Sequence, residues 1–420
     1  MRANTPAAAA DPSDDAVDSW QAARAWARSG VMALNGNPTG PPLLPPLGAA
    51  TRLTAVAEEI ARLTAARGRP VRVRWEAALS GRAAILGLAG KGRTSANGSC
   101  RLITAGDGEV ALNLPRRDDL SLVPALTLDP AAEDGPWDAA ATLAASMPAA
   151  EFVGRARLLG LAASMAGERP SGPAYVVTRR GEPTTPALNG GWTVVDLSSL
   201  WAGPVAARVL AESGAHLIKV EDPARPDAAR QRPEFYSWIH PVGEKTEQVD
   251  FTSESGRQTL SELLESADVV IESSRPRALE QIGLAPDQLR GAAGQVWLSI
   301  TGHGRTSTSR EWTGFGDDCA VAGGLHCRDE SGMAAFCGDA VADPVTGLVG
   351  ALAVLRCLAE GGGHLLDVSL SGAAAWAAAG GEPDPRQHGI TVDRSGEGWV
   401  VHQGDLVEPV AARPPTLDWV

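Results

Sequence analysis

Residues 191–221 read GWTVVDLSSLWAGPVAARVLAESGAHLIKVE. The apolar run 192–197 predicts a strand, closed by Ser198 and Ser199. Pro204 then predicts a helix beginning near it, because a first-turn proline gives up an N–H that has no helical partner there anyway. Ala206, Ala207, Val209, Leu210 and Ala211 supply the apolar stripe, and Gly214 suits a left-handed C-terminal cap. A second strand follows at 216–220. Strand, helix and strand in so few residues predict a right-handed βαβ unit, which exposes helix N-terminal amides beside strand ends, a natural place for a ligand's phosphate or carbonyl.

The next elements repeat the alternation: helix 254–266, strand 268–272, helices at 277–281 and 286–290, and strand 295–300. Such alternation predicts an α/β fold, a doubly wound and mostly parallel Rossmann-like sheet in a large domain with a smaller α+β domain beside it. Organisation along the 420 residues is read as a disordered leader over 1–25, an N-terminal domain over 26–168, a Pro- and Gly-rich linker over 169–189, the large domain over 190–376, and a polar tail over 377–420 with one strand at 398–402.

Fifty acidic against 37 basic residues leave a net charge of −13, which opposes a nucleic-acid or anionic-membrane partner. The longest apolar helix candidate, 347–359, is interrupted by Arg356 and is shorter than a bilayer span of roughly 20 residues. Five cysteines, with no CxxC pair, suggest neither a disulfide framework nor a zinc ribbon, so reduced cytoplasmic thiols and no metal are expected. GLAGKG at 87–92 lacks the spacing of a phosphate loop, and neither HExxH nor GxSxG occurs.

The chain also resembles itself. Residues 46–78 lie on 341–373 without a gap, pairing Thr51 with Thr346, Leu53 with Leu348, Val73 with Val368 and Trp75 with Leu370, while 29–36 stands against 322–329. Each copy reads as loop, amphipathic helix, glycine-containing turn and short strand, either a degenerate duplication or two unrelated alanine-rich units. Opposite Asp343 stands Gly48.

DLSSLWAGP at 196–204, IKVE at 218–221, Gly256 with Arg257, Glu272 with Arg275 and Pro276, LEQIGL at 279–284, SITGHG at 299–304, ADPVTGL at 342–348 and DVSLSG at 367–372 form an ordered series that resembles the family III CoA-transferases, also called CaiB/BaiF-like proteins. GSCRLITAGDGEVALNLPRRDDL at 98–120 is similar to the segment leading into that family's small domain, here displaced ahead of the large one, as in a rearranged or half-duplicated member. The resemblance implies coenzyme A as co-substrate, an acyl-CoA and a small carboxylate as partners, a homodimer, and Asp343 as the nucleophile that takes an acyl group from a thioester as a mixed anhydride. It further implies contacts to CoA or substrate by Trp201, Ala202, Gly203 and Phe315, with phosphate contacts falling to Lys245, Arg225, Arg275 or Arg277. Without the family, Asp343 reads as the N-cap of a helix over 344–359.

The departures carry information too. Trp201 replaces a polar residue that orients the acyl group in many transferases, and Ser273 and Ser274 replace an Asn and an aromatic on the adenine side. Phe315 stands where related racemases carry a histidine, which disfavours proton shuttling because Phe is no base. Asp317 and Asp318 adjoin it, and Asp339 would raise the pKa of Asp343 if the two meet. His303 is expected at the surface. Two other readings stand beside the transferase: a lyase or isomerase on the same fold, and a non-catalytic homologue.

Overall fold

The computed structural model describes residues 19–184, 191–241, 244–306, 308–380, 389–396 and 398–420. Most of the expected leader lies outside the described residues, but its last part opens helix α1 (Ser19–Arg28). Helices α2 (Leu47–Ala66) and α3 (Trp75–Leu86) follow. On α2, Leu53, Val56, Ile60 and Leu63 recur every three or four residues and are buried, so one face of the helix belongs to the core. Strands β1 (Cys100–Thr104) and β2 (Glu109–Asn113) pair antiparallel across a turn that contains Asp107 and Gly108. Helices α4 (Arg117–Ser121), α5 (Val123–Thr127), α6 (Pro136–Ala145) and α7 (Ala149–Leu158) then lead to β3 (Ala162–Met165), which pairs with β2. These pieces enclose a core of their own around Val110, Leu112, Phe152 and Leu161, the smaller α+β unit.

The large sheet begins with β4 (Val176–Arg179), so the 169–189 stretch read as a linker is in part an edge strand. Then come β5 (Trp192–Asp196), α8 (Ala202–Glu212), β6 (Ala215–Glu221), α9 (Pro233–Ile239), β7 (Lys245–Gln248), α10 (Glu254–Ser266), β8 (Val269–Glu272), α11 (Pro276–Gln281) and β9 (Val296–Thr301). After α12 (Gly316–Ala322) and the short pair β10 (Cys327–Arg328) and β11 (Ala334–Ala335), helix α13 (Ala342–Ala359) precedes β12 (His364–Ser369) and α14 (Leu370–Ala378). Strand order is β4-β12-β9-β8-β5-β6-β7, all parallel except β4, which runs against β12. β8 and β9 are buried along their whole length, as parallel strands covered on both faces must be. Residues 286–290 form a single turn instead of the expected helix: Gln288 folds back so that its side chain accepts from the Ala285 N–H, and Gly291 turns the chain at φ +48°.

The self-resemblance is visible in three dimensions. Helix α2 starts at Leu47 and α13 at Ala342, and α3 starts at Trp75 and α14 at Leu370, the pairs that the gapless alignment matches. The copies pack on each other crosswise: α2 on α13, α2 on α14, and α3 on α13. One expectation fails. Residues 71–74 of the first copy are extended but pair with no strand, because the sheet that receives β12 in the second copy has no counterpart beside them.

α13 lies at the centre of this arrangement and is buried on nearly every side, which accounts for its apolar composition. Its core runs from Ala22 through the sheet to Trp419, so the first three helices, the large sheet and the tail share one interior. The tail holds three strands where one was expected: β13 (Ile390–Ser395), β14 (Gly398–Gln403) and β15 (Leu406–Pro409) form an antiparallel sheet, tied to α1 by ion pairs of Arg24 and Arg28 with Glu408 at 2.9 and 2.7 Å.

Candidate active site

Asp343 lies inside the first turn of α13 instead of capping it; the cap is Val341. Its N–H bonds the carbonyl of Ala340 at 2.9 Å, and Ala340 holds φ +46°, an unfavourable left-handed value for a residue with a Cβ. That turn also presents Asp339. The N-terminus of α12 closes from the other side with Asp317 and Asp318. A Cβ on Gly316 would stand 2.2 Å from Asp343 Oδ2 and 2.4 Å from the Ala340 carbonyl, so only glycine permits this approach. Four aspartates from two helices and one turn thus share a small volume.

Three side chains from the N-terminal part hold them there. Arg82 of α3 places Nη1 3.2 Å from Asp339 Oδ1 and 3.1 Å from Oδ2. Asn97 donates to Asp317 Oδ2 at 2.7 Å and to Asp339 Oδ1 at 3.2 Å, and Asn113 donates to Asp318 Oδ1 at 2.9 Å. The Ala340 N–H bonds Asp317 Oδ1 at 2.9 Å and the Phe315 N–H bonds Asp318 Oδ1 at 3.0 Å. Burial still dominates. It pushes the Asp343 carboxyl up to about 7, opposed by Arg82 and reinforced by Asp317, Asp318 and Asp339. Asp318 rises to about 7 for the same first reason, and Asp317 rises through burial and then through Asp339.

The Trp201 turn meets this group through helix packing. A Cβ on Gly347, one turn beyond Asp343, would stand 2.5 Å from the Ala202 carbonyl, so α13 crosses the first turn of α8 in backbone contact. α8 starts at Ala202 with Trp201 as its cap, two residues before the expected Pro204. Ala202 and Gly203 are buried in that packing, Gly203 tight against Ser198. The Trp201 ring is buried, meets Phe235 edge-on at 5.6 Å, and lies 5.1 Å from the Arg82 guanidinium; its Nε1 finds no partner among the described residues. Beneath the turn, buried Lys219 pairs with Asp196 at 3.4 Å and Asp227 at 3.7 Å. Asp227 in turn accepts from the N–H of Leu200, which holds φ +69°.

The cationic residues expected to meet phosphate divide. Lys245 sits on the exposed edge strand β7, paired with Glu247 at 2.5 Å, and Arg225 is exposed in the turn after β6; neither joins the group around Asp343. Arg275 and Arg277 do share a site. With Arg116 and Arg157 they line a cavity of about 490 Å³, together with Asp118, Asp119 and Glu311. Arg116, Arg157 and Arg277 are ion-paired to Asp119, Glu168 and Glu311. Arg275 has no ion pair among the described residues. Burial, then the like charge of Arg277, lowers its pKa. Phe315 touches both groups: its ring lies 5.8 Å from the Arg116 guanidinium, and its N–H bonds Asp318.

His303 is buried against Trp312, not exposed; burial, then Arg157 and Arg169, push its pKa down to about 3, so it is neutral. Its Nε2 lies 3.9 Å from Cys319 Sγ, which also approaches Asp318 Oδ2 at 3.7 Å and the Gly302 carbonyl at 3.4 Å. Ligating atoms of His303, Asp318 and Cys319 lie within 4.8 Å of one another, and the thiol there already has hydrogen-bond partners.

The model of CoA-transferase family III matches residues 190–397, the segment that carries β5 to β13, and that segment belongs to the family. The alpha subunit of a succinyl-CoA–L-malate CoA-transferase from Chloroflexus aurantiacus is 28% identical over 232 residues, 49% of this chain and 53% of that one. An acyl-CoA transferase from Fusarium pseudograminearum is 31% identical over 202 residues, 43% of this chain and 44% of that one. A CAIB/BAIF family protein from Brucella suis aligns structurally with a TM-score of 0.42 at 28% identity, covering 45% of this chain and 55% of that one. The chain spans about half the length of these relatives.

Proposed function

We propose that the protein is a CoA-transferase that moves CoA between an acyl thioester and a small carboxylate through Asp343. The carrying observation is the place of Asp343: at the start of α13, within the family segment, partly exposed, beside the backbone of the Trp201 turn, and titrating near 7. One carboxylate oxygen attacks the thioester carbonyl carbon, the C–S bond breaks, CoA leaves as thiolate, and a mixed anhydride remains on Asp343. The amides of the α13 first turn are the near dipoles for the charge that develops on the carbonyl oxygen. The thiolate then attacks the Asp343 carbonyl carbon and expels the donor acid, leaving an aspartyl-CoA thioester. The acceptor carboxylate attacks that carbonyl and expels the thiolate, and the thiolate finally attacks the acceptor's acyl carbon, releasing the new acyl-CoA and free Asp343. Coenzyme A is the co-substrate in this reading, with its phosphates in the arginine-lined cavity and its thiol end reaching past Phe315. Incubation with candidate acyl-CoAs and hydroxylamine should convert Asp343 to a hydroxamate, seen by mass spectrometry; a labelled protein unmodified at Asp343 would refute the nucleophile.

The cavity gives a separate prediction. Replacing both Arg275 and Arg277 by Ala should raise KM for acyl-CoA roughly 10- to 100-fold, since hydrogen bonds to charged groups contribute about 1.5–3 kcal/mol each and part is screened. The increase should shrink at high salt. An unchanged KM would move the nucleotide elsewhere.

A further inference from the structure

We infer that Arg82, delivered by the first copy of the duplicated helices, is the anchor for the carboxylate of the acceptor acid, with the Trp201 indole N–H beside it as a second donor. The inference deepens the transferase reading and rests on it. The acceptor, itself an anion, has to reach Asp343 past Asp317, Asp318 and Asp339. A carboxylate approaching such a group is repelled unless a cation meets it. Arg82 is the cation in contact with that group, and it is built for the task.

Its guanidinium lies 5.1 Å from the Trp201 ring centre and 5.4 Å from that of Phe235, while Nη1 is spent on Asp339. These contacts fix the plane of the fork, so little rotational freedom remains to be lost on binding. The Nε and Nη2 edge has no acceptor among the described residues, and the side chain is 21% exposed. Trp201 Nε1 is a buried donor with no partner among the described residues, on the ring whose centre lies 5.1 Å from that guanidinium. A buried N–H left unpaired is costly, and an incoming carboxylate oxygen would satisfy it. Tryptophan at this position therefore retains a hydrogen-bond donor in place of the polar side chain it replaces.

The duplication supports the division of labour. The position equivalent to Asp343 in the first copy is Gly48, which is not acidic, and in the same register the position equivalent to Arg82 in the second copy is Ala377. One copy keeps the acid and the other supplies the cation. The recognised ligand class is a small organic acid with a free carboxylate, bound bidentate or nearly so.

The test uses the full-length protein and the variants Arg82→Leu, Arg82→Lys and Trp201→Phe, each assayed on the upper plateau of its own pH profile, so that a shift in the titration of Asp343 is not read as a change in acceptor binding. Acyl-CoA with hydroxylamine and no acceptor reports the first half-reaction; transfer to the acid reports the second. Arg82→Leu should keep adduct formation within about 3-fold and raise the acceptor KM at least 30-fold, with partial rescue by Arg82→Lys. Trp201→Phe, which keeps the ring stack, should raise acceptor KM about 5-fold, a larger factor than its effect on the KM for acyl-CoA. Should Arg82→Leu fail to fold, Arg82→Lys and Trp201→Phe carry the test. Adduct formation falling in step with transfer, or an acceptor KM that does not move, would overturn the inference. A wild-type protein that forms no adduct would instead overturn the role of Asp343.

Discussion

Asp343→Asn should lower the rate of acyl transfer by roughly 10³-fold or more, the scale on which loss of a nucleophile acts, while leaving KM for acyl-CoA within a few-fold. The amide keeps the shape of the side chain and removes its nucleophilic oxygen. In the wild type the rate should climb with pH through about 7, because only the carboxylate attacks and burial holds its pKa there. A limb near 4 would mean that water reaches the acid freely. Stability should move the other way. A carboxyl whose pKa is raised by folding contributes fully below about 4, its unfolded range, and that contribution is lost as pH rises through about 7. At pH 8.5 Asp343→Asn should therefore be the more stable protein, by about 1–2 kcal/mol once solvent at this partly exposed group is allowed for. Equal denaturation midpoints for the two proteins at pH 5 and 8.5 would contradict the buried-charge account.

Lys219→Met should be the most destabilising single change near the site, by about 3–5 kcal/mol, because it leaves Asp196 and Asp227 buried without their cation. Burial works against the lysine's own charge, yet Asp196 and Asp227, then Glu244 and Glu221, outweigh it and raise its pKa. The effect should reach the chemistry. Asp227 holds the left-handed Leu200, and Leu200 precedes Trp201, so activity in the surviving folded fraction should fall as well. Urea midpoints for wild type and variant, with near-ultraviolet circular dichroism of the tryptophans, check both parts; a loss under 1 kcal/mol would show that the aspartates find other partners.

Local pattern was enough for the βαβ unit. Predicted strand and helix edges between 192 and 221 fall within two residues of those observed, and α10 spans the predicted 254–266, because proline, serine caps and apolar period act over single turns. Asp343 was legible through its motif. Its surroundings were not. Arg82 is 257 residues away from Asp339, and Asn97 and Asn113 reach α12 from a hairpin that precedes the large sheet, so no spacing rule connects them. Asp339 and the Asp317–Asp318 pair were noticed, but their meeting depends on Gly316 and on the strained Ala340, which are tertiary facts. The gapless self-alignment was the one sequence signal that pointed toward Arg82, since it made the first helices a structural equal of those carrying the acids.

Because a single hydrophobic interior runs from α1 to Trp419, the connection between β4 and β5 is no natural place to divide the polypeptide. Excising everything before β5 would strip α2 and α3 from α13 and leave its outer face, now dry, in contact with water. The family segment on its own is therefore a fragment prone to stick to other chains, and expression trials of this protein belong with both halves kept on one polypeptide.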